Sequence, residues 1–80
     1  MTNIEILDKI ETELGIPLYD LYRRQLLPAS VVAYRDIYKR YEEIRKQGTG
    51  KEVSTVITAN EKKCSPRQVY RIRAIMTIDM

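Results

Sequence analysis

Residues 59–72 read ANEKKCSPRQVYRI, and the parsing of this stretch decides the fold. Ser65, Pro66 and Gln68 together make a helix-start signal. A serine hydroxyl at the N-cap accepts from an amide that the first helical turn leaves without a partner. A glutamine three residues later can accept in return from the N–H of the cap. Proline suits the first helical position, because its missing N–H would be an orphan there. A helix therefore opens at Pro66, and the apolar positions Val69, Ile72 and Met76 carry it to about Thr77. Upstream, Val53, Val56 and Ile57 keep spacings of three and four, which predicts another helix over about 52–61. Lys62, Lys63 and Cys64 leave room between the two for a tight turn and nothing longer.

Two short helices joined by such a turn form the helix-turn-helix arrangement, whose second helix enters the major groove of DNA. A helical wheel tests this. At about 100° per residue, Val69, Ile72 and Met76 share one stripe, while Arg67, Tyr70, Arg71 and Ala74 fall on the opposite face. Arginine can pair with guanine O6 and N7 through two parallel hydrogen bonds, and tyrosine can donate to a phosphate oxygen. Alanine at 74 lets the helix lie deep in a groove or touch a thymine methyl. Lys51, Lys62 and Lys63 are expected phosphate contacts, and Ser65 and Gln68 stand where the helix meets the backbone.

Moving outward, the rest of the chain reads as helix. Ile4, Leu7, Ile10 and Leu14, with Ile6 beside them, give helical spacing over 3–14. Thr2 and Glu5 have the capping-box form, and Gly15 stands at a natural stop. Pro17 opens a short second helix with Leu18, Leu21, Tyr22 and Leu26 on one side, closed by Pro28. A third helix spans about 30–47, with Val31, Tyr34, Ile37, Tyr38, Tyr41 and Ile44 as its apolar positions. Gly48-Thr49-Gly50 is a hinge; it lacks the spacing and the Lys-Ser/Thr ending of a phosphate loop. No strand pattern is visible. The expectation is one all-α domain over 1–80, with about five helices and a C-terminal helix-turn-helix.

At 80 residues the chain has material for one core and no more. Its charge is uneven. Residues 1–33 hold three basic side chains (Lys9, Arg23, Arg24) against five acidic ones, a balance of −2. Residues 34–73 hold eleven basic against five acidic, a balance of +6. A basic half joined to a slightly acidic one suggests a polyanion-binding part over 30–80 and a helical pair over 1–28 with another task, packing or dimerisation. Ile6, Leu21 and Leu26 are the expected surplus apolar surface of that pair.

The stretch 59–72 resembles the helix-turn-helix of small bacterial and phage regulators. Together with YRDIYKRYEEIR at 34–45, it is similar to the C-terminal half of Mor-type phage transcription activators, a likeness spanning about half the chain from 34 to 72. The resemblance implies that Ala59 is the small contact between the two helices. It makes Cys64, Val69 and Ile72 the buried seats and turns Ser65, Arg67, Tyr70 and Arg71 toward DNA. The sequence departs from the pattern at three places. Lys63 holds a turn position usually given to glycine, so it must take a left-handed or otherwise altered backbone. Thr58 and Lys62 stand where apolar residues are expected, and Val56 and Ile57 are expected to compensate through a shifted register.

Other chemistries find less footing. With a single cysteine, Cys64, and no histidine, neither an intramolecular disulfide nor a zinc site is expected, and Cys64 reads as a small buried hydrophobe. The Tyr34, Tyr38 and Tyr41 row reads as helix packing. Glu11-Glu13 and Glu42-Glu43 read as solvated charge, not as catalytic carboxylate pairs. No apolar run approaches the ~20 residues of a membrane span. The acidic start MTNIEILDKIE does not look like a secretory signal. The sequence thus predicts a non-enzymatic, cytoplasmic regulator of transcription that binds double-stranded DNA, with a homodimer as the default assembly. No cofactor, metal, membrane or small-molecule substrate is expected. The alternatives are a helical protein-interaction module and a DNA-handling accessory subunit that works with a partner enzyme.

Overall fold

Local signals at the helix ends cut this chain into its elements. The computed structural model describes residues 1–79, which form α1 (Asn3–Leu14), α2 (Leu18–Arg23), α3 (Ala29–Lys46), α4 (Lys51–Lys62) and α5 (Pro66–Met76). The fold is all-α. At the start of α1 the Glu5 N–H donates to Thr2 Oγ1 at 3.3 Å, and the Thr2 N–H donates to Glu5 Oε1 at 2.8 Å. Gly15 ends the helix at φ 68°. The second helix stops at Arg23, short of the expected Pro28. There Gln25 turns left-handed at φ 64°, and the Leu26 N–H bonds back to the Leu21 carbonyl at 2.9 Å. That closure turns Leu26 outward, 67% exposed. Among the described residues, no helix is long and apolar enough to cross a membrane.

The core lies where α3, α4 and α5 meet. Ile4, Tyr38, Ile72 and Met76 form one cluster, and Tyr41, Ala59 and Val69 form another. Ile37 packs against both. Leu18 and Leu21 of α2 are buried, so Leu21 is core and not the surplus surface expected of it. Ile6 and Leu26 are exposed as expected.

The face that α4 buries corrects the sequence reading. Val53, Val56 and Ile57, whose spacing revealed the helix, are exposed, while Ser54, Thr55 and Thr58 are buried. No register shift compensates for Thr58; it occupies the inner seat itself. Its hydroxyl donates to the Ser54 carbonyl at 2.7 Å, and the Thr55 hydroxyl donates to the Lys51 carbonyl at 2.8 Å. A hydroxyl satisfied within its own helix can be buried without an orphaned donor.

An ion-pair network binds α1 to α3. Arg35 grips Glu11 with both terminal guanidinium nitrogens, at 2.6 and 2.8 Å, and reaches Asp8 at 3.1 Å. Lys39 meets Asp8 at 2.9 Å, and the Leu18 N–H adds a bond to Glu11 at 2.8 Å. Glu11 is therefore a structural anchor, not the solvated charge its sequence context implied. The hydrogen bonds from Arg35, joined by the Leu18 N–H, hold the Glu11 carboxyl below the usual range against the opposing effect of burial. A folded pKa below the unfolded one gives stability that is present above about pH 4.5 and lost as pH falls through the folded value. Glu11→Gln should therefore melt lower than wild type at neutral pH. The gap should close in thermal melts followed by circular dichroism as pH drops below that point. A gap that stays constant with pH would contradict this assignment.

Candidate nucleic-acid interface

The turn before α5 is built from the signals that announced it. The Gln68 N–H donates to Ser65 Oγ at 3.2 Å, and the Ser65 N–H donates to Gln68 Oε1 at 3.1 Å. The cap occupies one side of Gln68 and leaves its amide nitrogen as a donor at the surface. Lys63 closes α4 at φ 56°, ψ 43°, and the Cys64 N–H bonds to the Ala59 carbonyl at 3.0 Å. Of the altered backbones the sequence allows at Lys63, the left-handed one is thus present. Ala59 is 1% exposed between Tyr41 and Val69, and Cys64 packs half-buried against them.

Rotation about α5 sorts its side chains as the wheel predicts. Val69, Ile72 and Met76 are buried, while Arg67, Gln68, Tyr70, Arg71 and Ala74 are exposed. Lys51, Lys62, Lys63 and Ser65 are exposed as well. These positions share two neighbouring helices and the turn between them.

Pairing separates three cations of α3 from those of α4 and α5. Arg35 and Lys39 are engaged by Glu11 and Asp8, and Arg40 by Glu43 and by Glu61 at 2.6 Å. Among the described residues, no carboxylate lies within ion-pair distance of Lys51, Lys62, Lys63, Arg67 or Arg71. Pairing therefore neutralises Arg35, Lys39 and Arg40, while Lys51, Lys62, Lys63, Arg67 and Arg71, like Arg45 and Lys46 at the end of α3, keep their charge without an acidic partner among the described residues. Such a surface presents guanidinium and ammonium donors to a polyanion.

Sequence reading missed Arg73. Its guanidinium carbon lies 4.2 Å from the Tyr41 ring centroid and 5.2 Å from that of Tyr70. One nitrogen is 3.5 Å from Thr55 Oγ1. The one available signal was an arginine adjoining the buried stripe of α5, opposite a tyrosine row on α3. Tyr38 in that row donates to Glu42, which is likewise not the free charge first expected. Burial, reinforced by the Glu42 carboxylate, pushes the Tyr38 hydroxyl up to about 12, so it stays protonated.

Lys63 couples stability to this surface. A side chain in the left-handed region is strained relative to glycine, which occupies it freely. Lys63→Gly should raise stability by about 0.5–1 kcal/mol, or roughly 2–8 °C in melting temperature. It also removes one exposed cation, which should cost about tenfold at low salt in any affinity this surface has for duplex DNA. Calorimetry and a binding titration on the same preparation check both; a variant that gains stability and keeps full affinity would remove Lys63 from the interface.

No protein-family model, curated protein or solved structure matches this chain.

Proposed function

We propose that this chain binds double-stranded DNA in a sequence-specific manner through a helix-turn-helix made of α4, the turn at 63–65 and α5. Its role would be that of a small cytoplasmic transcription regulator from a bacterium, a phage or a mobile element. The biological setting rests on the resemblance of 34–45 and 59–72 to Mor-type activators. The DNA reading is carried by one observation: α5 buries Val69, Ile72 and Met76, and its other face holds Arg67 and Arg71 with no acidic partner among the described residues. Arg67, Arg71 and Tyr70 read base edges and the adjoining backbone, and Ala74 permits close approach. Lys51, Lys62 and Lys63, with the capped start at Ser65 and Gln68, position the helix on phosphates. The reading assigns the chain no catalytic step.

A second copy is part of the proposal. Ile6, Leu14, Tyr19 and Leu26 of the N-terminal helical pair are exposed, surface that a homodimer could cover. Two copies would read half-sites about one helical turn apart.

Fluorescence anisotropy of a labelled mixed-sequence duplex tests the reading directly. The five cations Lys51, Lys62, Lys63, Arg67 and Arg71 predict a log–log salt slope near −4.5, hence a loss of roughly five hundredfold between about 50 and about 200 mM salt. Absence of binding at low salt would overturn it. The alternative, a helical protein-interaction module or accessory subunit, is favoured by the exposed row Val53, Val56 and Ile57 on α4. The interaction module predicts weak salt dependence, whereas the accessory subunit keeps the DNA salt slope and co-purifies with a partner enzyme.

A further inference from the structure

Arg73 is a half-buried cation whose surroundings leave most of its donors unused. Stacking on Tyr41 and Tyr70 fixes the guanidinium plane. Its one hydrogen bond among the described residues is the long contact to Thr55. No carboxylate of the described residues reaches ion-pair distance. Arginine carries five N–H donors, and those of Arg73 without a protein partner are not sealed from solvent but open to an incoming anion.

The space beside it suggests which partner. An open groove of about 400 Å³ lies between α3 and α5, lined by Arg73, Arg45, Tyr70, Glu42 and Thr77 among others. Arg45 spends one nitrogen on the Thr49 carbonyl at 2.9 Å and keeps its remaining donors. Glu42 is the carboxylate in the lining, and it already accepts the Tyr38 hydroxyl. Two guanidiniums against one carboxylate leave the groove positive. Its rim includes Tyr70 and Ala74, so it borders the exposed face of α5. A helix inserted in the major groove has a sugar-phosphate strand along each flank, and phosphate contacts there fix its register.

We propose that this groove seats one phosphodiester of the DNA backbone, held by the guanidiniums of Arg73 and Arg45 and the hydroxyl of Tyr70. The inference rests on the DNA-binding reading above and adds to it where the backbone crosses the protein. Arg73 would act as a positioning contact, blind to base identity, pre-set by the two tyrosine rings.

The test uses the full chain and labelled duplexes of two unrelated sequences, titrated at several salt concentrations. Arg45→Gln and Arg73→Gln should each weaken binding by roughly five- to tenfold on both sequences. Each should also flatten the log–log salt slope by about one. Arg73→Lys should keep the slope while losing part of the affinity. Melting curves accompany each variant, because Arg73 also packs on Tyr41. If Arg73→Gln fails to fold, Arg45→Gln decides, and a wild-type slope for that variant overturns the proposal. A loss confined to one sequence with an unchanged slope overturns it too, by assigning the groove to base readout. Wild type that binds duplex with both glutamine variants matching it removes this inference alone. Wild type that binds no duplex removes the DNA-binding reading and this inference together.

Discussion

Replacing Arg67 and Arg71 together with alanine should abolish selective duplex binding while leaving the melting temperature within a few degrees of wild type. Both side chains are exposed on α5, one helical turn apart, and neither is engaged by a carboxylate of the described residues. Their removal therefore breaks no intramolecular pair. Alanine is also the strongest helix former, so α5 keeps its local preference. The buried stripe Val69, Ile72 and Met76 is untouched. On the DNA side, a guanidinium bidentate to a guanine contributes about 1–3 kcal/mol of discrimination. Two such losses, about 2–6 kcal/mol together, amount to roughly thirtyfold at the least and roughly ten-thousandfold at the most. The measurement is anisotropy on a duplex recovered by selection from a random pool, set against thermal melts of the same samples. Equal binding by both proteins would mean that α5 does not read DNA, and the interaction-module reading would take its place. Loss of both binding and melting temperature would mean that the arginines serve the fold, which their exposure contradicts.

That prediction draws on the part of the molecule most legible in sequence, and the reason is locality. The Ser65-Pro66-Gln68 start, the Thr2–Glu5 cap and the stop at Gly15 each involve groups a few residues apart, so composition alone specifies the geometry. The face of α5 was equally readable, because Val69, Ile72 and Met76 are more apolar than anything opposite them. Hydropathy misleads on α4. Its apolar residues point outward, and its inner face is Ser54, Thr55, Thr58 and Ala59. What that seat requires is small volume, so that α4 can lie close to Tyr41 and Val69, and the hydroxyls meet the requirement once bonded to their own helix. Glu11 and Arg35 stand 24 residues apart, and no periodicity encodes a pairing at that distance. Arg73 was invisible for the same reason: its significance lies in tyrosine rings contributed partly by another helix. The candidate site was legible where it is one helix face, and hidden where α3 completes it.

The largest loss of stability is expected from Tyr41→Ala. Tyr41 is 5% exposed and packs with Ala59 and Val69, beneath the Arg73 guanidinium, so its ring touches α3's partners on both sides. Truncating a buried aromatic to alanine costs about 3–5 kcal/mol, the transfer free energy plus the cavity left behind. A domain of this length has roughly 4–12 kcal/mol in total. The variant should therefore melt roughly 15–30 °C lower and be substantially unfolded at warm temperature. Tyr41→Phe isolates the ring from its hydroxyl. It keeps both the packing and the face on which Arg73 rests, so it should cost less than about 1.5 kcal/mol. Circular dichroism melts of the two variants beside wild type provide the comparison. Tyr41→Ala melting within a few degrees of wild type would show that the α3–α4–α5 junction is not what holds α5 in place. With the expected result, one ring anchors α5 from behind and orders the arginine at its flank. Cold preparations of Tyr41→Ala that remain folded should then bind duplex more weakly than Tyr41→Phe, with a flatter salt slope, because Arg73 has lost the surface that aims it.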